Sequence, residues 1–164
     1  METTVDELIR QFEDTLSEEG YHGLHVSQEV VTDNAQYYTV KLSVLETEAS
    51  GYEHNQFYTI DKQTGNVVAL ADLFAEGSNY ISVISENIKT QMREQMVADE
   101  DVIYFLDDED MTEFNFQSIT EQTNFYFNES GELVIAFDEY EVAPGYMGAP
   151  EFVIPQKVTA GLLK

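Results

Sequence analysis

Two histidines are the first residues along the chain whose types and spacing could do chemistry. His22 and His25 form an H-x-x-H pair, which on a helix would place both imidazole rings on one face, as a zinc site requires. Gly20, Gly23 and the alternating residues that follow indicate a loop or a strand, where side chains three positions apart point in opposite directions. The chain also contains no cysteine, so thiolate metal sites, disulfides and cysteine nucleophiles are excluded. We therefore predict no zinc site here.

A run of four acidic residues is a second candidate for metal binding. Asp107, Asp108, Glu109 and Asp110 could attract calcium, but the glycine and the distal glutamate of an EF-hand loop are absent. An exposed acidic loop is the simpler interpretation. The sequence therefore predicts no metal and no cofactor.

Motifs for nucleophilic catalysis and for phosphate binding are missing. The chain has no G-x-S-x-G or S-x-x-K nucleophile arrangement, no G-x-G-x-x-G loop and no P-loop. Paired carboxylates will occur by chance among 32 acidic residues, and acid catalysis also needs a carboxyl of raised pKa in an apolar site. We predict that the chain is not an enzyme; His54 with a nearby carboxylate is the catalytic alternative.

The charge balance restricts the kinds of partner. The chain has 32 acidic and seven basic residues, a net charge of -25, together with ten Tyr and ten Phe. The aromatic residues argue for a folded core, so the acidic residues should lie on its surface. Such a surface repels nucleic acid and anionic lipid and attracts a cationic partner, although the charge could also serve only solubility.

Two helices and several strands are expected to build the fold. Capping residues Thr4 and Glu7 and an apolar stripe predict a first helix, in which Leu8 and Phe12 should be buried. A second stripe predicts a helix over 79–98, with Ile84 and Ile88 buried. Seven or eight strands are indicated, at 21–32, 36–47, 55–61, 67–70, 123–128, 132–137 and 151–155. The predicted fold class is α+β, with two amphipathic helices packed on mostly antiparallel sheet.

The loop at 143–150 is a candidate contact surface. It contains two prolines, two glycines, Tyr146 and Met147. Prolines limit the freedom of the unbound loop, and Tyr and Met supply contact area at the centres of interfaces. The alternative is that Tyr146 folds back over the sheet and the loop is only a crossover.

The segment 125–155 carries a family resemblance. A Tyr-Glu-hydrophobic-Ala-Pro turn, a later glycine and an acidic-aromatic strand that ends in proline occur here as Tyr140, Glu141, Val142, Ala143, Pro144, Gly148, Glu151, Phe152 and Pro155. This segment resembles the extracytoplasmic domain of RsiV-type anti-sigma factors. The same domain occurs in bacterial surface proteins and beside some peptidoglycan deacetylases.

Upstream features follow the family's order more loosely. They are Gly51, His54, the strand at 57–61, Thr64-Gly65 and Asp72-Leu73-Phe74. Many members have Gly-Ala-His where this chain has Tyr52-Glu53-His54. Residues 1–47 resemble the end of the smaller domain that usually precedes this one, and residues 48–164 resemble the RsiV-type domain itself.

The resemblance implies a binding function outside the cytoplasm. The closely studied members of the family are tethered sensors whose outer domain binds lysozyme, a basic protein. We expect an extracytoplasmic, cell-surface or secreted domain whose membrane tether lies outside this chain, with no nucleic-acid partner; the oligomeric state is not predicted. The alternative is a non-catalytic accessory domain of a cell-wall enzyme. The predicted contact residues are Tyr140, Glu141, Pro144, Gly145, Tyr146, Met147, His54, Asp107, Asp108 and Asp110.

Overall fold

A computed structural model describes residues 6, 7, 9, 10, 13, 23–47, 51–109 and 112–164. The predicted burial of Leu8 and Phe12 in the first helix falls outside the described residues. The five described residues near the start of the chain are helical, as expected. Ile9, which belongs to the same apolar stripe, is 42% exposed, which the stripe did not predict.

The first sheet is formed by three long strands in the order β1-β2-β3, all antiparallel. They are β1 (Gly23–Asp33), β2 (Tyr37–Thr47) and β3 (Gly51–Asp61). The side-chain oxygen of Asn34 accepts hydrogen bonds from the backbone N–H groups of Gln36 and Tyr37, at 2.9 and 2.7 Å, and closes the predicted turn between β1 and β2. Strand β3 pairs with β2 along its whole length, while the division into 1–47 and 48–164 stays a prediction.

The hairpin predicted after β3 is reduced to a single bridge. Gly65 closes the expected turn with φ +71°, and its N–H donates to the carbonyl oxygen of Asp61 at 2.8 Å. The return segment then forms one bridge, between Ile60 and Val67, instead of the predicted strand over 67–70. The chain leaves the sheet because Leu70, in a short 3₁₀ helix, is buried in the main core on the way to the long helix.

The long helix, α1 (Tyr80–Ala98), confirms the second predicted helix. Ile84, Ile88 and Met92 are fully buried, and they lie at the helical spacing that the sequence indicated. Their side chains belong to a core that continues into the second sheet. The helix and the second sheet therefore share one core.

The second sheet is shorter and antiparallel, in the order β4-β5-β6. Its strands are β4 (Asn124–Phe127), β5 (Leu133–Ala136) and β6 (Glu151–Ile154), and a one-turn helix, α2 (Gln156–Thr159), follows. Every residue of β5 is buried, as expected for a central strand. The described part of the chain thus holds six strands in two sheets, where the sequence predicted seven or eight strands.

Polar side chains join the two sheets where β3 runs beside β4. The Asn124 amide donates to the carbonyl oxygen of Asn55 at 2.8 Å, and its oxygen accepts the Phe57 N–H at 3.3 Å. Asp138 accepts the Asn55 N–H at 2.7 Å, and the Thr32 hydroxyl donates to the carbonyl oxygen of Phe127 at 2.7 Å. We call Thr32, Asn124 and Asp138 the polar seam. Their side chains form hydrogen bonds with backbone N–H and C=O groups at the edges of the two sheets, which have no partner in a neighbouring strand.

Among the described residues, no helix combines the length and the apolar character that a membrane span requires.

Candidate functional site

The predicted contact loop presents its tyrosine to solvent. A 3₁₀ turn, Gly145–Met147, follows Pro144, and the Met147 N–H donates to the Pro144 carbonyl oxygen at 2.9 Å. Tyr146 is 66% exposed, so it does not cover the sheet, while Met147 packs partly against the core. The loop is therefore ordered by its own backbone and anchored on one side, with one aromatic ring free for contact.

The acidic segment lies directly against this loop. The Tyr146 hydroxyl donates to the carbonyl oxygen of Asp101 at 3.0 Å, and the Phe105 N–H donates to the Val142 carbonyl oxygen at 2.8 Å. The loop and the start of the 99–109 segment therefore form one surface, although more than 40 residues separate Tyr146 from Asp101 in the sequence.

The predicted acidic cluster is only partly available. Arg93 on α1 donates to Asp107 through Nε at 2.9 Å, and this hydrogen bond lowers the pKa of Asp107. The backbone of Asp108 is held by the Asn115 side chain, with hydrogen bonds of 3.0 and 2.8 Å. Asp110 lies outside the described residues. Asp107 is thus an ion-pair partner of the helix, whereas Asp101, whose backbone Tyr146 contacts, and its chain neighbour Glu100 are exposed.

Tyr140 connects the loop to a neighbouring cleft. Its backbone has φ +67°, in the left-handed region, and its ring lies against the backbone of Gly145. A Cβ at position 145 would overlap the ring atoms of Tyr140, so glycine is required there if the ring is to stay in place. Tyr140 and Gly145, both predicted as contact residues, therefore touch each other.

A cleft of about 620 Å³ opens on the other side of Tyr140. Three of its aromatic residues, Tyr52, Phe114 and Tyr140, are exposed and come from distant parts of the chain, while Phe116 and Phe137 line it from the core. We call this the aromatic–acidic cleft, because its lining also includes three carboxylates: Asp138, Glu139 and Glu141.

The carboxylates make the cleft strongly negative. Burial raises the pKa of Tyr52, and Asp138, Glu141 and Glu139 raise it further, which places all three charges near the phenol. Partial burial also raises the pKa of Glu141; the hydrogen bond from the Asp138 N–H lowers it, and the charge of Asp138 raises it again. Within the described residues, none of the three carboxylates forms a salt bridge. A cation would therefore be favoured in this cleft.

His54 stands beside the cleft and outside the loop. It is half-buried on β3, and its ring centroid lies 5.8 Å from that of Tyr52. The structure thus brings His54 near Tyr52 of the cleft, but it gives His54 no place in the 143–150 loop. Tyr52, Phe114, Asp138 and Glu139 were missed by the sequence analysis. Asp138 and Glu139 directly precede the predicted residues Tyr140 and Glu141, so the acidic run in the sequence could have indicated these two.

Histidines, among them the H-x-x-H pair, and acidic side chains are the metal-binding types that the chain contains. His25 is exposed on β1, whereas His22 lies outside the described residues, so their predicted opposite orientation is untested. Across the described ranges, no three His, Asp or Glu side chains are grouped as a metal ion would require.

The fold and the C-terminal motif define the class of protein. The family model described as "Protein of unknown function (DUF3298)" matches residues 71–157, and this chain belongs to that family. The anti-sigma-V factor RsiV of Bacillus subtilis is 42% identical over 147 residues, which cover 90% of this chain and 50% of that relative. The resemblance to RsiV-type domains is confirmed, and the chain spans half the length of the curated relative it matches.

Solved structures share the fold. A DUF3298-family protein from Pseudomonas aeruginosa superposes with a TM-score of 0.69 at 21% identity, covering 98% of this chain and 69% of that one. A member from Bacteroides fragilis gives a TM-score of 0.61 at 19% identity, with 99% and 63% coverage. At these identities the likeness concerns the fold alone.

Proposed function

We propose that this chain is the partner-binding part of an RsiV-like anti-sigma factor, that it acts outside the cytoplasm, and that it has no catalytic role of its own. The observation that carries the proposal is the contact between Tyr146 and the Asp101 backbone. It unites an exposed aromatic ring and an acidic segment in one surface. The 42% identity to the anti-sigma-V factor RsiV supports the regulatory class.

The surface has the composition of a binding site for a cationic protein. An exposed tyrosine on an ordered loop supplies a rigid anchor with little entropy to lose on docking. The surrounding acidic residues and the net charge of -25 raise the rate of encounter with a basic partner. Lysozyme, a basic protein, is the partner that we propose.

The experiment measures the binding kinetics of this chain on immobilised lysozyme at two salt concentrations. We expect Tyr146→Ala to weaken binding by about 1–3 kcal/mol, mainly through faster dissociation, because an aromatic anchor is lost. Tyr146→Phe is the matched control: it keeps the ring and removes only the hydrogen bond to Asp101, so its dissociation rate should stay close to that of the wild type.

A second variant isolates electrostatic steering. Neutralising Glu100 and Asp101 with Gln and Asn should slow association and flatten its salt dependence, while dissociation changes little. Asp107 is avoided because its removal would also break the pair with Arg93. Absence of wild-type binding at low salt would exclude lysozyme as the partner. Unchanged kinetics in Tyr146→Ala would place the contact surface elsewhere.

A further inference from the structure

We propose that the aromatic–acidic cleft receives one arginine side chain of the protein partner, and that Tyr52, Phe114, Tyr140 and the three carboxylates recognise its guanidinium group. The inference deepens the proposed function, because it rests on a basic protein binding next to Tyr146. It adds a second contact point, separate from the 143–150 loop, and gives the chemical group that fills it.

The aromatic residues match a flat cation. Tyr52, Phe114 and Tyr140 are exposed large side chains around one cleft, whereas most other aromatic residues of the chain are at least partly buried. An exposed aromatic face attracts a guanidinium by stacking and by its quadrupole. At about 620 Å³ the cleft is in the size range of small-ligand sites, so it has room for the side chain and its flanking backbone.

The carboxylates are oriented before any ligand arrives. Backbone N–H groups of Asn55 and Glu53 donate to Asp138 and Glu139, at 2.7 and 3.3 Å. The N–H of Asp138 in turn donates to Glu141 at 2.9 Å. These bonds fix one oxygen of each carboxylate and leave the other without a hydrogen bond among the described residues. The open oxygens of these oriented carboxylates suit the several N–H groups of arginine better than the single charge of lysine.

Tyr140 makes the cleft and the loop one recognition unit. Its ring lies against Gly145 on one side and lines the cleft on the other. A partner that contacts Tyr146 therefore places its neighbouring residues within reach of the cleft. The same ring position explains the glycine at 145, because Gly145→Ala would push the ring of Tyr140 away from the loop.

The direct test uses a small probe and does not depend on lysozyme. N-acetyl-arginine amide is titrated into the ¹⁵N-labelled chain, and N-acetyl-citrulline amide, which has a similar shape without the charge, is the control ligand. We expect saturable shifts at the amides of Tyr52, Phe114 and 138–141 with the arginine probe only. Glu139→Gln should weaken this binding about tenfold, the loss expected for one charged hydrogen bond.

A matched variant controls for net charge. Glu129→Gln lies in the turn at the opposite end of the β4–β5 hairpin and should leave the titration unchanged. Equal shifts with both probes, shifts spread evenly over the acidic surface, or saturable shifts with chitotriose in place of arginine would each overturn the inference. Arginine binding without any lysozyme binding would support the cleft and contradict the proposed partner, so the two failures are distinguishable.

Discussion

Tyr140 holds a backbone conformation that bulky side chains rarely adopt. Its φ of +67° carries a cost of about 1–2 kcal/mol for an L-residue with a Cβ, which glycine would avoid and asparagine would reduce. The chain nevertheless has tyrosine here, with its ring against Gly145 and along the cleft. Strain of this kind collects at binding sites, where the surrounding structure holds a residue in place for its contacts. The position of the ring therefore accounts for a tyrosine at 140.

Glu141 gives a prediction about pH. Because burial raises its pKa, the folded protein binds a proton at this carboxyl more readily than the unfolded chain does. The raised pKa therefore stabilises the folded state of the wild type at low pH. This contribution to stability is lost as the pH rises through the folded-state pKa. We expect Glu141→Gln to be more stable than wild type at pH 7, with the difference vanishing below about pH 4.

The measurement is urea unfolding of both proteins over a series of pH values. Glu129→Gln, an exposed substitution in a turn, is the control and should follow the wild type throughout. If Glu141→Gln were instead less stable than the wild type at pH 7, the hydrogen bond from the Asp138 N–H would outweigh the cost of burying the charge.

The long helix α1 gives a prediction at the scale of an element. Ile88 is fully buried in the main core, and Val97 on the same helix is 88% exposed. Ile88→Ala removes buried methylene groups and leaves a cavity, so we expect a loss of about 2–5 kcal/mol in the free energy of unfolding. Val97→Ala should change it by less than about 0.5 kcal/mol. Chemical denaturation measures both, and similar losses would mean that the buried stripe is not what holds α1.

Local sequence patterns predicted those elements in which the buried residues recur at the period of the helix or strand itself. The apolar stripe that contains Ile84 and Ile88 was enough to predict α1, because apolar residues at this spacing form one side of a helix that must be buried. The segment after Gly65 behaved differently: its strand-like residues continue into Leu70, and burial of Leu70 in the core outweighed further pairing with β3. That competition depends on tertiary packing, which a local window of sequence does not contain.

The candidate site was predictable only where its residues are neighbours in the chain. The loop around Tyr146 was visible from its own composition. Tyr52 and Phe114 were not, because they lie far apart in the sequence and only the tertiary fold brings both of them to the cleft. Asp107 was predicted as a contact residue in an exposed acidic loop, without a partner in the chain. Its partner Arg93 lies 14 residues earlier on α1, and the contact depends on how the chain folds back after the helix.

The charge of the whole molecule gives the last prediction. With 32 acidic and seven basic residues, the folded surface repels itself, which destabilises the compact state. Salt shortens the screening length from about 8 Å at 0.15 M to about 3 Å at 1 M. We therefore expect sodium chloride to raise Tm at pH 7, by about 2–4 °C for each 1 kcal/mol of repulsion removed.

Thermal unfolding followed by circular dichroism at several salt concentrations is the measurement. The same series near pH 4, where many carboxylates are protonated, is the internal control and should show a smaller increase. A flat or falling Tm at pH 7 would mean that local ion pairs, such as Arg93–Asp107, outweigh the general repulsion.

The polar seam has a consequence for how sequences of this fold can diverge. Where strands pair through their backbones, almost any side chain can be exchanged without losing the ladder. Here Asn124 and Asp138 supply the bonds themselves, so an apolar replacement would leave the edge groups of Asn55 and Phe57 unpaired. Mutational drift should therefore be slower at these polar positions than at many apolar ones. In this fold, substitutions should be restricted at the junction between the sheets as well as in the core.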